Sequence, residues 1–125
     1  MTTPEPKIPG PDHPITIEPT GARVVARVDT HVLADTTKAL TLREANYPPV
    51  HYIPLADVDQ SLLTDSTTKT YCPYKGEASY YTVALPDGPL TDAIWTYRAP
   101  YDAVAPIAGH VAFYPDRVDV VTGQA

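Results

Sequence analysis

The chain has 125 residues, with nine Lys and Arg against fifteen Asp and Glu and a formal net charge of −6. That length fits one domain with a single modest core, and an acidic balance without a basic stripe for phosphates argues against nucleic acid as the main partner. One cysteine allows neither an internal disulfide nor a cysteine-rich zinc site, and no apolar run reaches the roughly 18 residues that span a bilayer.

Met1–Pro14 is rich in proline and poor in apolar residues, so it reads as a flexible extended arm. It lacks the apolar h-region of a secretory signal. A soluble, cytoplasmic protein is therefore expected, with one globular β domain over residues 15–122. The fifteen prolines argue against long helices, because each interrupts the i→i−4 ladder.

From Ile15 onward the apolar period is mostly two, the signature of strands. Arg23–Val28 and His31–Ala34 read as a hairpin across Asp29-Thr30. Ala39–Glu44 alternates, with Leu40 and Leu42 on one face. Tyr47-Pro48-Pro49 breaks the pattern before a short strand at Val50–Ile53. Asp57–Leu63 is the best helical candidate, about two turns long, with Asp57 as its cap. Thr64-Asp65-Ser66 leads out of it. Ala78–Leu85 and Thr91–Ala99 form a second hairpin around Pro86-Asp87-Gly88, which sets Ala93, Trp95 and Tyr97 on one face. Tyr101–Pro106 suggests a helical turn. Ile107–Tyr114 and Val118–Val121 read as strands that pair back on each other across Pro115-Asp116-Arg117. The fold class is mainly β, small and antiparallel, with one or two short helical turns.

The segments HPITIEP, VVAR, ALTLREANYPPVHYIPLADVD, SLLTDS, TYCPYKGEASYY and DAIWTYRAPYDAVAPIAGHVAFYPDRVDV follow one another in order from His13 to Val120. Together they resemble the domain-of-unknown-function family 427, which is sometimes labelled nucleotidyltransferase-like. Cys72-Pro73-Tyr74-Lys75-Gly76, the Trp95, Tyr97, Pro100 pattern and Gly109–Tyr114 carry the resemblance. It implies a β-tent-like domain, two antiparallel sheets meeting at an angle with a cleft between them. Zinc binding by β-tent relatives rests on paired CxxC motifs, which are missing here, so no metal is carried over and no cofactor is expected.

Tyr71–Tyr81 holds the greatest density of chemistry. A nearby ammonium such as Lys75 would favour the Cys72 thiolate, with Glu44 or His110 as base or orienter. The bland reading packs Cys72 as a small hydrophobe. Gly76 allows close approach beside Lys75, which suits an anionic ligand group; otherwise Lys75 is a solvated lysine opposite Glu77 or Glu44. Glu44 closes a strand where a carboxylate near Lys75 would pair with it. Tyr52, Tyr74, Tyr80, Trp95, Tyr97 and Tyr114 offer either ordinary core or flat walls for a cleft. His13, His31 and His51 lack metal-ligand spacing and read as structural, whereas His110 beside Gly109 joins the candidate ligand contacts. Asp57-Val58-Asp59 is a DxD, but carboxylates at i and i+2 point apart on a helix.

The leading expectation is small-molecule binding in an aromatic cleft, with ligand contacts from Tyr52, Tyr74, Lys75, Tyr80, Trp95, Tyr97 and His110. The alternative is an enzyme in the same cleft, with Cys72 or Lys75 as nucleophile and Glu44 assisting. A nucleotidyltransferase-like activity at Asp57 and Asp59 comes third. The expected partner is a small molecule rather than nucleic acid or membrane, and the chain a monomer or homodimer.

Overall fold

The computed structural model describes residues 7–123. Ten strands run through them: β1 (Ile15–Pro19), β2 (Val24–Val28), β3 (His31–Thr36), β4 (Leu40–Glu44), β5 (Val50–Pro54), β6 (Leu63–Cys72), β7 (Gly76–Leu85), β8 (Gly88–Thr96), β9 (His110–Phe113) and β10 (Asp119–Thr122). Three 3₁₀ turns complete them, at Leu55–Asp57, Gln60–Leu62 and Asp102–Ile107. All strand pairs are antiparallel. The strands make a seven-stranded sheet, ordered β1-β4-β5-β9-β8-β7-β6, and a three-stranded sheet, ordered β10-β2-β3. The mainly β, two-sheet expectation holds. No helix among the described residues is long and apolar enough to cross a membrane.

The middle of the larger sheet is buried on both faces, and period-two alternation divides its residues between them. Ile53, Ile94, Val111 and Phe113 join Val24, Ala26 and Leu33 of the smaller sheet in one core. Tyr52, Ala112, Tyr80 and Tyr97 gather on the opposite face with Leu42, Val104 and Ile107. This explains why Val111, Ala112 and Phe113 are all buried in succession. Ala93 departs from the expected alternation, because it packs in the first core while Trp95 and Tyr97 belong with the second. The cause is local: the β7–β8 register shifts between Tyr81 and Val83, and Asp92 takes a positive φ of 54°.

Other elements differ from the expectation for identifiable reasons. The helix expected over Asp57–Leu63 is two separate 3₁₀ turns, since Val58 between them is extended and bridges Ala34. The cap there is Asp59, which accepts from the Ser61 amide, while Asp57 accepts from the Thr36 hydroxyl at 2.6 Å. β6 starts where the chain was expected to be leaving a helix. It is polar because it is the sheet's edge, so little beyond its threonines, with their high strand propensity, marks it. β10 does not pair with β9; the turn at Tyr114–Val118 carries the chain to β2 in the smaller sheet.

The arm expected from Met1 to Pro14 lies outside the described residues as far as Pro6. From Lys7 onward it is tied down at three points. The Lys7 amide donates to the Pro73 carbonyl at 2.8 Å, the Ala45 amide donates to the Pro14 carbonyl at 2.8 Å, and the His13 ring contacts Glu44.

Candidate functional site

In the seven-stranded order, four inter-strand steps separate β4 from β7. On a flat sheet that would be roughly 19 Å at the usual strand spacing of about 4.8 Å. Yet Lys75, in the turn before β7, reaches Glu44 at the end of β4. The sheet must therefore curl between β4 and β7, a span in which β5 and β9 share only two register pairs, Ile53 with Val111 and Pro54 with His110. The concave face holds a cleft of about 440 Å³. Its lining comes from the larger sheet and its loops, so the cleft lies inside one curled sheet and not between the two sheets as expected.

One end of the cleft is ionic. Lys75 donates through Nζ to Glu44 Oε1 and reaches Cys72 Sγ at 3.7 Å. The second carboxylate oxygen of Glu44 lies 2.7 Å from Nε2 of His13. Both side chains of the pair are largely buried, Lys75 at 9% and Glu44 at 13% exposure. Burial alone would raise the Glu44 carboxyl's pKa, but the hydrogen bonds and charges of Lys75 and His13 outweigh it and hold the group below the usual carboxylate range. The turn that presents Lys75 depends on Gly76, whose φ of 109° is closed to side chains of L-residues. The Lys75 carbonyl is tied to the Tyr101 amide at 3.0 Å.

The walls are aromatic. Trp95 is half-buried, and its indole N–H donates to the Tyr52 hydroxyl at 3.2 Å, which fixes the ring edge-on to Tyr52 and tilted over Tyr114 at 4.5 Å. Thr70, Tyr80 and Tyr114 share a chain of hydroxyls at 2.9 and 3.4 Å. Burial and the Tyr80 hydroxyl push the Tyr114 phenol up to about 12. Burial raises Tyr52 and Tyr97 further still. All three are therefore neutral phenols at physiological pH, able to donate.

Of the expected ligand contacts, Tyr52, Lys75, Tyr80, Trp95 and Tyr97 line the cleft, with Glu44 beside Lys75. Tyr74 does not; its ring stacks on His13 at 4.0 Å, 7° from parallel, and steadies that imidazole. Cys72 packs under the cleft against the aromatic core, outside the lining. His110 stands apart, its Nδ1 2.9 Å from the Ala108 carbonyl and its backbone on the β5–β9 ladder. Asp57 and Asp59 are engaged by Thr36 and Ser61, and no group of three or more metal-capable side chains exists among the described residues.

Two features were not foreseen. His13 belongs to the ionic end, but its setting among prolines reads as loose chain; the only hint was the compact Gly10-Pro11-Asp12-His13 turn. Tyr47-Pro48-Pro49, read as a break between strands, supplies the cleft's rim. The family model described as Domain of unknown function (DUF427) matches residues 16–124, which include all these cleft residues except His13. No curated protein matches the chain.

Proposed function

The chain belongs to this domain-of-unknown-function family, and we propose that it is a small-molecule-binding module whose ligand occupies the cleft between Trp95, Tyr97 and the Glu44–Lys75 pair. The observation that carries this reading is an ion pair kept largely out of water at the wall of an open cavity. Buried charges are costly to hold, and a flat aromatic surface beside a few convergent polar groups is what small-molecule sites require. The cavity volume lies within the range of such sites. The acidic chain with a single cysteine suits a soluble cytoplasmic protein, a monomer or homodimer whose partner is a small molecule rather than nucleic acid or membrane.

A second reading, an enzyme with Cys72 or Lys75 as nucleophile, is supported by the 3.7 Å contact between them. It ranks below binding because the Lys75 ammonium is engaged by Glu44 and the Cys72 sulfur lies outside the cleft lining. A nucleotidyltransferase-like activity has less support, since both Asp57 and Asp59 serve local hydrogen bonds.

The chain's only tryptophan stands in the cleft wall, so a fragment library screened by intrinsic fluorescence reads the site directly. The binding reading expects saturable changes in emission that Tyr80→Ala weakens. A library that leaves Trp95 emission unchanged throughout contradicts it.

A further inference from the structure

The hydrogen bonds around the cleft leave donors over and few acceptors. An ammonium has three N–H bonds; Lys75 directs one to Glu44 and one to Cys72, and no third acceptor exists for it among the described residues. The Tyr52 oxygen accepts from Trp95, but the phenol's own proton has no protein acceptor there. Tyr97 is 8% exposed, and its hydroxyl has no hydrogen-bond partner among the described residues. That hydroxyl is not sealed in the core either, since among the described residues the buried side-chain atom left without a partner is Oδ1 of Asp92, on β8. A hydroxyl that is neither paired nor sealed, on a largely buried residue of the cleft lining, is open to the cavity.

On the acceptor side, Glu44 is the only carboxylate in the lining among the described residues, and each of its oxygens is engaged, by Lys75 and by His13. This decides between two ligand classes that aromatic walls would both suit. Tyrosine and tryptophan faces attract cations, but a cation here would meet the Lys75 ammonium and a carboxylate already paired twice. A planar ring that carries oxygen acceptors meets three donors and flat walls to stack on.

Resting on the binding reading above, we infer that the cleft takes a planar unsaturated ring bearing a carboxylate or conjugated carbonyl, with its acceptor oxygens turned toward Lys75, Tyr97 and Tyr52. Trp95 and Tyr80 then cover the ring faces. The recognised chemistry is an aromatic acid or its amide, not an aromatic amine.

The indole N–H cross-peak of Trp95 in a ¹⁵N–¹H spectrum gives a single reporter for the test. Benzoate, benzamide and benzyltrimethylammonium, each at millimolar concentration, share a ring and differ only in the group it carries. The inference expects benzoate and benzamide to shift that peak saturably while benzyltrimethylammonium does not. It also expects Tyr97→Phe, which removes an atom without a protein partner and so leaves the fold intact, to weaken benzoate about tenfold. A shift by benzyltrimethylammonium alone overturns the ligand class and leaves the cleft as a binding site. Benzoate binding that Tyr97→Phe does not alter overturns the donor assignment. Silence from all three probes overturns the ligand class, and with a fluorescence screen that is also silent it removes the binding reading as well.

Discussion

At the scale of single residues, the site turns on Glu44. Its carboxylate accepts from Lys75 on one oxygen and contacts His13 on the other. The depressed pKa that results makes a prediction with a definite sign. The stabilisation is complete above the ordinary carboxylate value of 4.5 and is lost as pH falls through the lower folded-state value. Denaturation midpoints taken from about pH 7 down to about pH 3 should therefore fall more steeply for the native chain than for Glu44→Gln; parallel curves would show that the pair adds no linkage. Lys75→Met should cost about 3 kcal/mol, because it strands a largely buried carboxylate. A surface lysine would lose almost nothing, and chemical denaturation distinguishes the two. The Lys75–Glu44 pairing was legible because a strand-end carboxylate and a lysine beside a glycine are each suggestive alone. His13 was not, because proline-rich chain gives no periodicity from which docking can be inferred.

At the scale of elements, the turn joining β6 and β7 does the positioning. Cys72 pairs with Gly76 across it, and the residues between present Lys75 to the cleft. An alanine at position 76 would find ordinary packing space, its Cβ 3.5 Å from the Ala99 carbonyl oxygen. The penalty is conformational, since φ of 109° is disallowed for alanine. Gly76→Ala should destabilise by at least about 1 kcal/mol and weaken ligand binding with it; an unchanged melting curve would mean the turn relaxes freely. Strands with clean alternation, such as β4 and the β2–β3 hairpin, were readable from sequence. The region Asp57–Leu63 was not, because a tertiary bond from the Asp59 amide to the Leu33 carbonyl at 2.7 Å overrides local helical pattern. The partner of β10 was equally hidden, since alternation marks a strand without naming its neighbour.

At the scale of the molecule, two cores back onto one curled sheet. Leu33 of the small sheet is 1% exposed among residues of both sheets, so Leu33→Ala should cost about 2–5 kcal/mol. Because the first core is shared, far-ultraviolet circular dichroism and Trp95 fluorescence should report one coincident unfolding transition. Separate transitions would show that the sheets are held independently. Overall class was legible from period and prolines, but the curl was not, because it depends on strand order and on how short the ladders between distant strands are, which alternation does not encode. The cleft depends on the curl, which brings Lys75 to Glu44 and leaves the aromatic faces open between them. The most direct measurement is a crystal structure soaked with the strongest fragment from the fluorescence screen. Density for its ring beside Trp95, with an acceptor in hydrogen-bonding reach of Lys75 or the Tyr97 hydroxyl, is the predicted result. A cleft that stays empty while the fragment sits elsewhere on the surface would contradict the account.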